Sequence, residues 1–198
     1  IYYSIEQSLK TKLFKKIFIS TDSKKIATYC MNLKVKQLEI IRRPMSLASD
    51  TSDEWLSWKH AVKYVNRKYG KFNIFASIPV TSPLRNHKDI IQCVKKKINT
   101  KYDIVLTFTS SNRNPYFNMI TIDKKNNAFL ACKNKLIKKE VFYDLTTVAY
   151  VTTPEYILQN KKIWDGRVSG VEIPHPRSLD IDTLDDLNYA KYIMKYGK

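Results

Sequence analysis

F-N-I-F-A-S-I-P-V, Phe72 to Val80, followed at once by T-S-P-L-R, Thr81 to Arg85, is the stretch on which the architecture turns. The first nine residues are apolar on both faces, as befits a strand in the middle of a parallel sheet, and the Pro- and Ser-containing exit leads into a helical pattern from His87 to Ile98. Tyr102 to Thr109 repeats the buried-strand pattern. Upstream, Lys16 to Thr21 is a β-branched and aromatic run ending in Thr-Asp-Ser, which feeds an N-capped helix from Ser23 to Met31. A further strand from Gln37 to Ile41 precedes a helix from Asp53 to Tyr69. There Trp55, Trp58, Ala61, Val62 and Val65 recur at helical spacing, which assigns the tryptophans to the core. Strands alternating with helices predict an α/β fold: an open, mostly parallel sheet in three layers, with ligands beyond the carboxyl ends of the strands. The loops to watch follow Ser20, Ile41, Pro79 and Phe108.

After Ser110 the texture changes to shorter pieces: Tyr116 to Asp123, a Lys-Lys-Asn-Asn turn, Ala128 to Cys132, Thr146 to Thr152, and a short helix from Pro154 to Asn160. Residues 111–165 therefore read as an inserted arm within a single domain spanning 1–198. The sheet resumes at Val168 to Ile173, and R-S-L-D-I-D-T-L-D-D-L leads into a closing helix with Leu187, Ala190, Ile193 and Met194. The chain opens on Ile1 inside an amphipathic helical pattern of Ile1, Ile5 and Leu9, so the natural start is expected upstream.

With 43% hydrophobic and 12% aromatic residues, 198 residues suffice for a real core, which excludes a disordered chain. No apolar run is long enough to span a bilayer, and a cytoplasmic location is expected. Cys30, Cys93 and Cys132 lie far apart without metal-ligand spacing and read as reduced structural thiols. Lys and Arg number 35 against 18 Asp and Glu, and the net +17 draws in polyanions, either nucleic acid or a nucleoside triphosphate. The excess is Lys scattered through helices and loops, with no arginine-rich block and no aromatic-basic repeat. That favours a solvated Lys surface over a nucleic-acid interface.

Asp180 and Asp182 form an Asp-Ile-Asp step. In an extended segment it points both carboxylates to one side and Leu179 and Ile181 into the core. Two hard oxygen ligands suit Mg²⁺, which keeps several waters and is completed by substrate phosphates. A plainer reading of the same residues is a strand end with Thr183 as N-cap and Asp185 and Asp186 at the helix N-terminus.

Five segments taken in order resemble one family. They are I-Y-Y-S-I-E-Q-S from Ile1 to Ser8, F-I-S-T-D-S from Phe18 to Ser23, R-P-x-x-L-A-S-D-T from Arg43 to Thr51, T-S-P-L-R from Thr81 to Arg85, and D-I-D-T-x-x-D-L from Asp180 to Leu187. The chain is similar over nearly its full length to the acylneuraminate cytidylyltransferases, which make CMP-activated sialic, legionaminic and related acids. The resemblance implies a nucleotide-diphospho-sugar transferase-like fold. It also implies attack of a sugar-acid anomeric hydroxyl on the α-phosphate of CTP, with release of pyrophosphate and with Mg²⁺ as cofactor. It assigns Asp182 as the first metal ligand, and Asp180 as a second ligand or as the group that deprotonates the hydroxyl. Arg43 and Asp50 match the loop that closes on the nucleotide; Thr81, Ser82 and Arg85 match the segment that approaches the sugar acid. Arg43 and Arg85 have a second reading as surface ion pairs. The arm matches a dimerisation region, with Tyr116, Phe117, Phe129, Phe142, Tyr143 and Trp164 available for a homodimer interface.

Three departures from the family stand out. The opening strand and the A-R-x-G-S-K type loop that cradles the triphosphate are absent, and the whole chain has four glycines, none in such a loop; little or no activity is expected of the chain beginning at Ile1. Pro79 stands where many members place the Gln of Q-P-T-S-P-L-R. Thr146-Thr147-Val148-Ala149-Tyr150 replaces an Asn-Gly-Ala-Ile-Tyr strand, which leaves room for a legionaminic-like acid. An eight-carbon keto sugar acid, another sugar nucleotidyl transfer, a basic nucleic-acid-binding role and an inactive dimer partner are the rival readings.

Overall fold

A computed structural model describes residues 1–49, 51–132 and 141–197. Six helices and eight strands are formed by the described residues. In chain order they are α1 (Tyr2–Lys10), β1 (Ile17–Thr21), α2 (Lys24–Asn32), β2 (Leu38–Arg42), α3 (Glu54–Tyr69), β3 (Phe75–Ser77), α4 (His87–Asn99) and β4 (Ile104–Ser110), then β5 (Ile120–Ile122), β6 (Ala128–Leu130), β7 (Tyr143–Thr152), α5 (Pro154–Gln159), β8 (Val168–Glu172) and α6 (Leu184–Tyr196). The helices begin where short polar side chains satisfy the first free N–H groups: Ser23, Asp53, Asn86, Thr153 and Thr183 each accept from a first-turn amide.

β1 and β2 pair in parallel, and a four-stranded sheet runs in the order β3-β7-β4-β8. Its two faces carry separate cores, because alternate residues of a strand point opposite ways. Ile104, Leu106 and Tyr150 face α3 and α5, packing against Trp55, Trp58, Val62, Tyr156 and Ile157. Val105, Ala149 and Val151 face α4, packing against Ile90, Cys93 and Val94. The α/β, three-layer expectation is met, and the tryptophans are core residues whose ring N–H groups are satisfied by Asn160 O and Glu54 Oε1.

Within this architecture the strand sense is mixed. β4 and β8 are parallel, but β7 is antiparallel to both β3 and β4. The physical reason is connectivity: the chain leaves the end of β4, passes through the arm and re-enters from the same end, whereas a parallel return needs a crossover to the opposite end. Thr146 to Thr152, grouped with the arm on sequence texture, thus lies at the centre of the sheet, with Val148, Ala149 and Val151 fully buried. The hairpin β5-β6 forms as expected, its turn held by Asp123 Oδ1, which accepts from the amides of Lys125 and Asn127, with Asn126 at positive φ. Lys138 and Lys139 lie outside the described residues. No helix of the described residues is long and apolar enough to cross a membrane. Cys30, Cys93 and Cys132 are unbridged, and burial pushes the Cys93 thiol up to about 12.

β7 is also bulged. Val105 pairs with Val151 and Thr107 with Thr146, so β7 uses residues 147–150 to cover a step that β4 covers with Leu106 alone. The buried Thr107 fills the irregularity. Its hydroxyl accepts from Ala149 N–H at 3.2 Å and from the Thr146 hydroxyl at 2.8 Å.

The small β1-β2 sheet is fastened to α3 by Glu39, which accepts from Lys68 Nζ at 2.5 Å, from Tyr64 OH at 2.7 Å and from Tyr69 OH. Desolvation pushes the Glu39 carboxyl upward, but hydrogen bonds from Lys68, Tyr69 and Tyr64 outweigh it and hold the group at about 2, against an ordinary 4.5. A folded value below the unfolded one means that this contribution is complete above about pH 4.5 and is lost as the pH falls toward 2. Urea unfolding followed by circular dichroism should therefore show wild-type stability declining between pH 5 and 2 more steeply than that of Glu39→Gln. Parallel pH profiles would show that the network contributes nothing.

Candidate functional site at the loop after β3 and the Asp-Ile-Asp step

Residues 78–85 leave the carboxyl end of β3 beside the bulged half of β7. Ser82 is fully buried, with its Oγ 2.6 Å from Thr147 Oγ1, and Thr81 Oγ1 lies 3.4 Å from the same atom. Arg85 is 3% exposed. Its guanidinium donates to Ser4 Oγ at 2.6 Å, to Thr147 O at 3.2 Å and to Pro79 O, while its Nε is buried without a partner. Burial lowers its pKa to about 10, opposed by the negative charges of Asp180 and Asp89. The sequence offers a substrate contact or a surface ion pair for this residue. The structure places it inside, on backbone carbonyls, because a wide planar donor array can bridge three elements at once.

The Asp-Ile-Asp step lies next to this loop, joined to it by Ile181 N–H donating to Thr81 O at 2.9 Å. It is not an extended strand end. β8 stops at Glu172, a short turn of 3₁₀ helix at His175–Arg177 redirects the chain, and residues 178–182 are irregular. The two carboxylates consequently differ: Asp180 is half-buried with Oδ1 buried and unpartnered, and Asp182 is exposed. Leu179 and Ile181 are half-buried rather than core residues. The capping role belongs to Thr183 and Asp186. Asp186 Oδ2 accepts from the Thr183 hydroxyl at 2.6 Å and from the amides of Thr183 and Asp182, and the Thr183 hydrogen bonds hold its carboxyl below the ordinary value.

Arg43 sits where β1 and β2 end. Its amide donates to Thr21 O at 3.0 Å and its guanidinium to Ser20 O at 2.5 Å, leaving a buried Nε without a partner. Nearby Glu54 is raised by desolvation, against hydrogen bonds from Trp58 and Ser77 and the charge of Arg43. Tyr150 is pushed up to about 12 by burial and by the charges of Glu54 and Asp180. Asp50 lies outside the described residues. A surface hollow of about 300 Å³ lined by Cys30, Met31, Lys34 and Glu39 is separate from all of these groups.

Residues 1–193 match the protein family described as cytidylyltransferase. The chain belongs to the cytidylyltransferase family. It is 30% identical over 200 residues to Post-translational flagellin modification protein B of Campylobacter coli, covering 98% of this chain and 83% of that protein. It is 25% identical to CMP-N,N'-diacetyllegionaminic acid synthase of Campylobacter jejuni, with the same coverages, and 27% identical to N-acylneuraminate cytidylyltransferase of Escherichia coli, covering 95% of this chain and 44% of that one. Among solved structures, CMP:2-keto-3-deoxy-manno-octonic acid synthetase complexed with CTP superposes with a TM-score of 0.70 at 9% identity, covering 98% of this chain and 87% of that one. That likeness supports the fold.

In this cytidylyltransferase no group of three or more His, Cys, Asp or Glu side chains that could hold a metal forms among the described residues. Two carboxylates are nonetheless a sufficient protein contribution for Mg²⁺, which takes its remaining ligands from water and phosphate. The buried, unpartnered Asp180 Oδ1 fits that use, since an orphaned anionic oxygen is costly unless something pairs with it. Sequence reasoning did not single out Ser4, Asp89, Thr147 or Arg177 as site residues. Ser4 had one signal, its place in the I-Y-Y-S-I-E-Q-S segment from Ile1 to Ser8 that carries the family resemblance.

Arg85→Met should deprive the Thr147 carbonyl of its Arg85 donor, whereas Pro79 O keeps the Ser4 hydroxyl at 3.2 Å. The expected loss is about 1 to 3 kcal/mol, read as a lower urea midpoint. Unchanged stability would mean that the guanidinium is held for a ligand instead of for the fold.

Proposed function

We propose that the protein transfers CMP from CTP to the anomeric hydroxyl of a nonulosonic acid of the sialic or legionaminic type, with Mg²⁺ as cofactor. The observation that carries the reading is the Asp180–Asp182 step, with an unpartnered buried carboxylate oxygen, fastened to the loop that bears Thr81, Ser82 and Arg85. Family membership and relatives named for legionaminic and N-acylneuraminic acids support the chemistry and the substrate class. One bond forms, from the sugar oxygen to the α-phosphorus. One breaks, from the α-phosphorus to the oxygen that leaves with pyrophosphate.

Mg²⁺ bound by Asp182 and Asp180 would supply neutralisation of the triphosphate charge. The protein's own part is placement. Arg43 lies at the ends of β1 and β2, where a guanidinium with a spare buried N–H suits a phosphate or base oxygen, and Asp50 follows it in the sequence segment Arg43 to Thr51 that resembles the nucleotide loop. Thr81 offers a hydroxyl on the acceptor side, while the buried Ser82 and Arg85 hold the loop that carries it through their bonds to Thr147. Where Asp180 is not engaged as a ligand, it is the group placed to take the hydroxyl proton. The Lys-rich surface, net +17, favours capture of a triphosphate. A CTP-dependent biosynthetic step with reduced thiols suits the cytoplasm.

Pyrophosphate release from CTP, measured on the complete gene product with Mg²⁺ and a panel of eight- and nine-carbon keto sugar acids, tests this reading. One nine-carbon acid should support turnover, and Asp182→Ala should lower kcat/KM by roughly 10²- to 10³-fold or more. Release with no acid at all would sink the reading.

The arm gives the same protein a homodimer interface. Phe117 is 80% exposed, Ile120 60% and Ile122 55%, an apolar surface on a hairpin that a second copy can cover. Sedimentation equilibrium should find a dimer, and Ile122→Lys should shift it toward monomer. A wild-type monomer at micromolar concentration would rule the interface out.

A further inference from the structure

We propose that Arg177 and Asp89 are positioning residues for the Asp180–Asp182 step; the proposal rests on the nucleotidyl-transfer reading above. Asp89 is 1% exposed and stands in the first turn of α4. Arg177 donates to it through two nitrogens, Nε to Oδ2 at 3.1 Å and a terminal nitrogen to Oδ1 at 2.8 Å. Asp89 Oδ2 also accepts from Asn86 N–H at 2.9 Å, closing the cap of α4 directly after Arg85. One buried carboxylate therefore fastens both halves of the site: the loop with Thr81, Ser82 and Arg85 on one side, and the segment that leads into Asp180 on the other.

The second fastening is the amide of Ile181 on Thr81 O, at 2.9 Å. Ser178 next to the first anchor caps the 3₁₀ turn, its amide and hydroxyl both donating to His175 O. Only Leu179 and Asp180 then lie between the fastenings, in no strand or helix, so the place of the Asp180 carboxylate is set by its two ends. A buried ion pair is weak support for net stability, because desolvation offsets most of the attraction; its bidentate geometry does fix a register. In a step governed by positioning, a displacement of about 1 Å can cost on the order of 10²-fold in rate. The charges also alternate. Asp89 and Asp180 both act on the buried Arg85 guanidinium, while Arg177 neutralises Asp89 from outside.

The test uses the complete gene product with Arg177→Lys, which keeps the charge and loses the fork, and with Asp89→Asn, which keeps the shape and loses the charge. Folding is checked by circular dichroism and Tm. Two readouts follow: kcat and KM for CTP and the acid, and Mn²⁺ affinity from water-proton relaxation, with Asp180→Asn as reference. Both variants should fold, lose about tenfold or more in kcat with little change in KM for CTP, and bind Mn²⁺ more weakly in the direction of Asp180→Asn. If either is unstable, Asp89→Asn combined with Arg177→Gln replaces the ion pair by neutral amide contacts and is read in the same way. Variants that lower Tm yet keep wild-type kcat and Mn²⁺ affinity would reduce the pair to a fold tether and overturn the proposal. A wild type that binds Mn²⁺ but turns over no acid would overturn the reaction reading alone, and the Mn²⁺ comparison would still decide the positioning role. A wild type that neither turns over nor binds Mn²⁺ would overturn both.

Discussion

A guanidinium taken out of water must find acceptors for its N–H groups, and Arg85 finds them on its own loop and on two elements remote in the chain. Ser4 on α1, Pro79 after β3 and Thr147 in the bulge of β7 each supply one. The loop at residues 78–85 is thereby held between the first helix and the central sheet, and Thr81 within it receives the amide of Ile181. Without that cation the loop would keep the Ser82–Thr147 contact to β7 but lose its tie to the Ser4 hydroxyl on α1 and to the Thr147 carbonyl. Both terminal nitrogens find acceptors and Nε does not, so the arrangement is well satisfied but not completely.

The bulge in β7 is the sheet's contribution to the same corner. A regular ladder has no extra residues to displace, whereas the stretch 147–150 brings the Thr147 carbonyl to Arg85 and its hydroxyl to Ser82. Thr107 fits beneath it because a hydroxyl can serve a strand amide that the interrupted ladder leaves over. Core packing and site geometry are here the same interaction, viewed from two faces of one strand.

Asp180 and Asp182 show how environment divides two identical side chains. Both belong to one Asp-Ile-Asp step, yet one carboxylate is half-buried, its charge felt by Arg85 and Tyr150, while the other stands in solvent. The neighbouring Asp186 is occupied with helix capping, so local hydrogen bonding sets it apart from the other two.

By itself, the sequence determined the alternation of strands and helices, the caps at Ser23 and Thr183 and the tryptophan core of α3, and it singled out the two segments, Thr81 to Arg85 and Asp180 to Asp182, that the fold brings together in the candidate site. These are local facts: periodicity and capping act over a few residues, and a run such as Phe72 to Val80 declares its burial by composition. Tertiary structure alone decided that Thr146 to Thr152 is a central antiparallel strand, that Arg85 is buried, that Asp180 and Asp182 differ in exposure, and that Asp89 holds Arg177. Each of these depends on partners distant in the chain, 81 positions for Arg85 and Ser4 and 88 for Arg177 and Asp89. A polar or charged residue at a given position is equally compatible with surface and interior until the fold shows which acceptors lie within reach, and no local pattern carries that information.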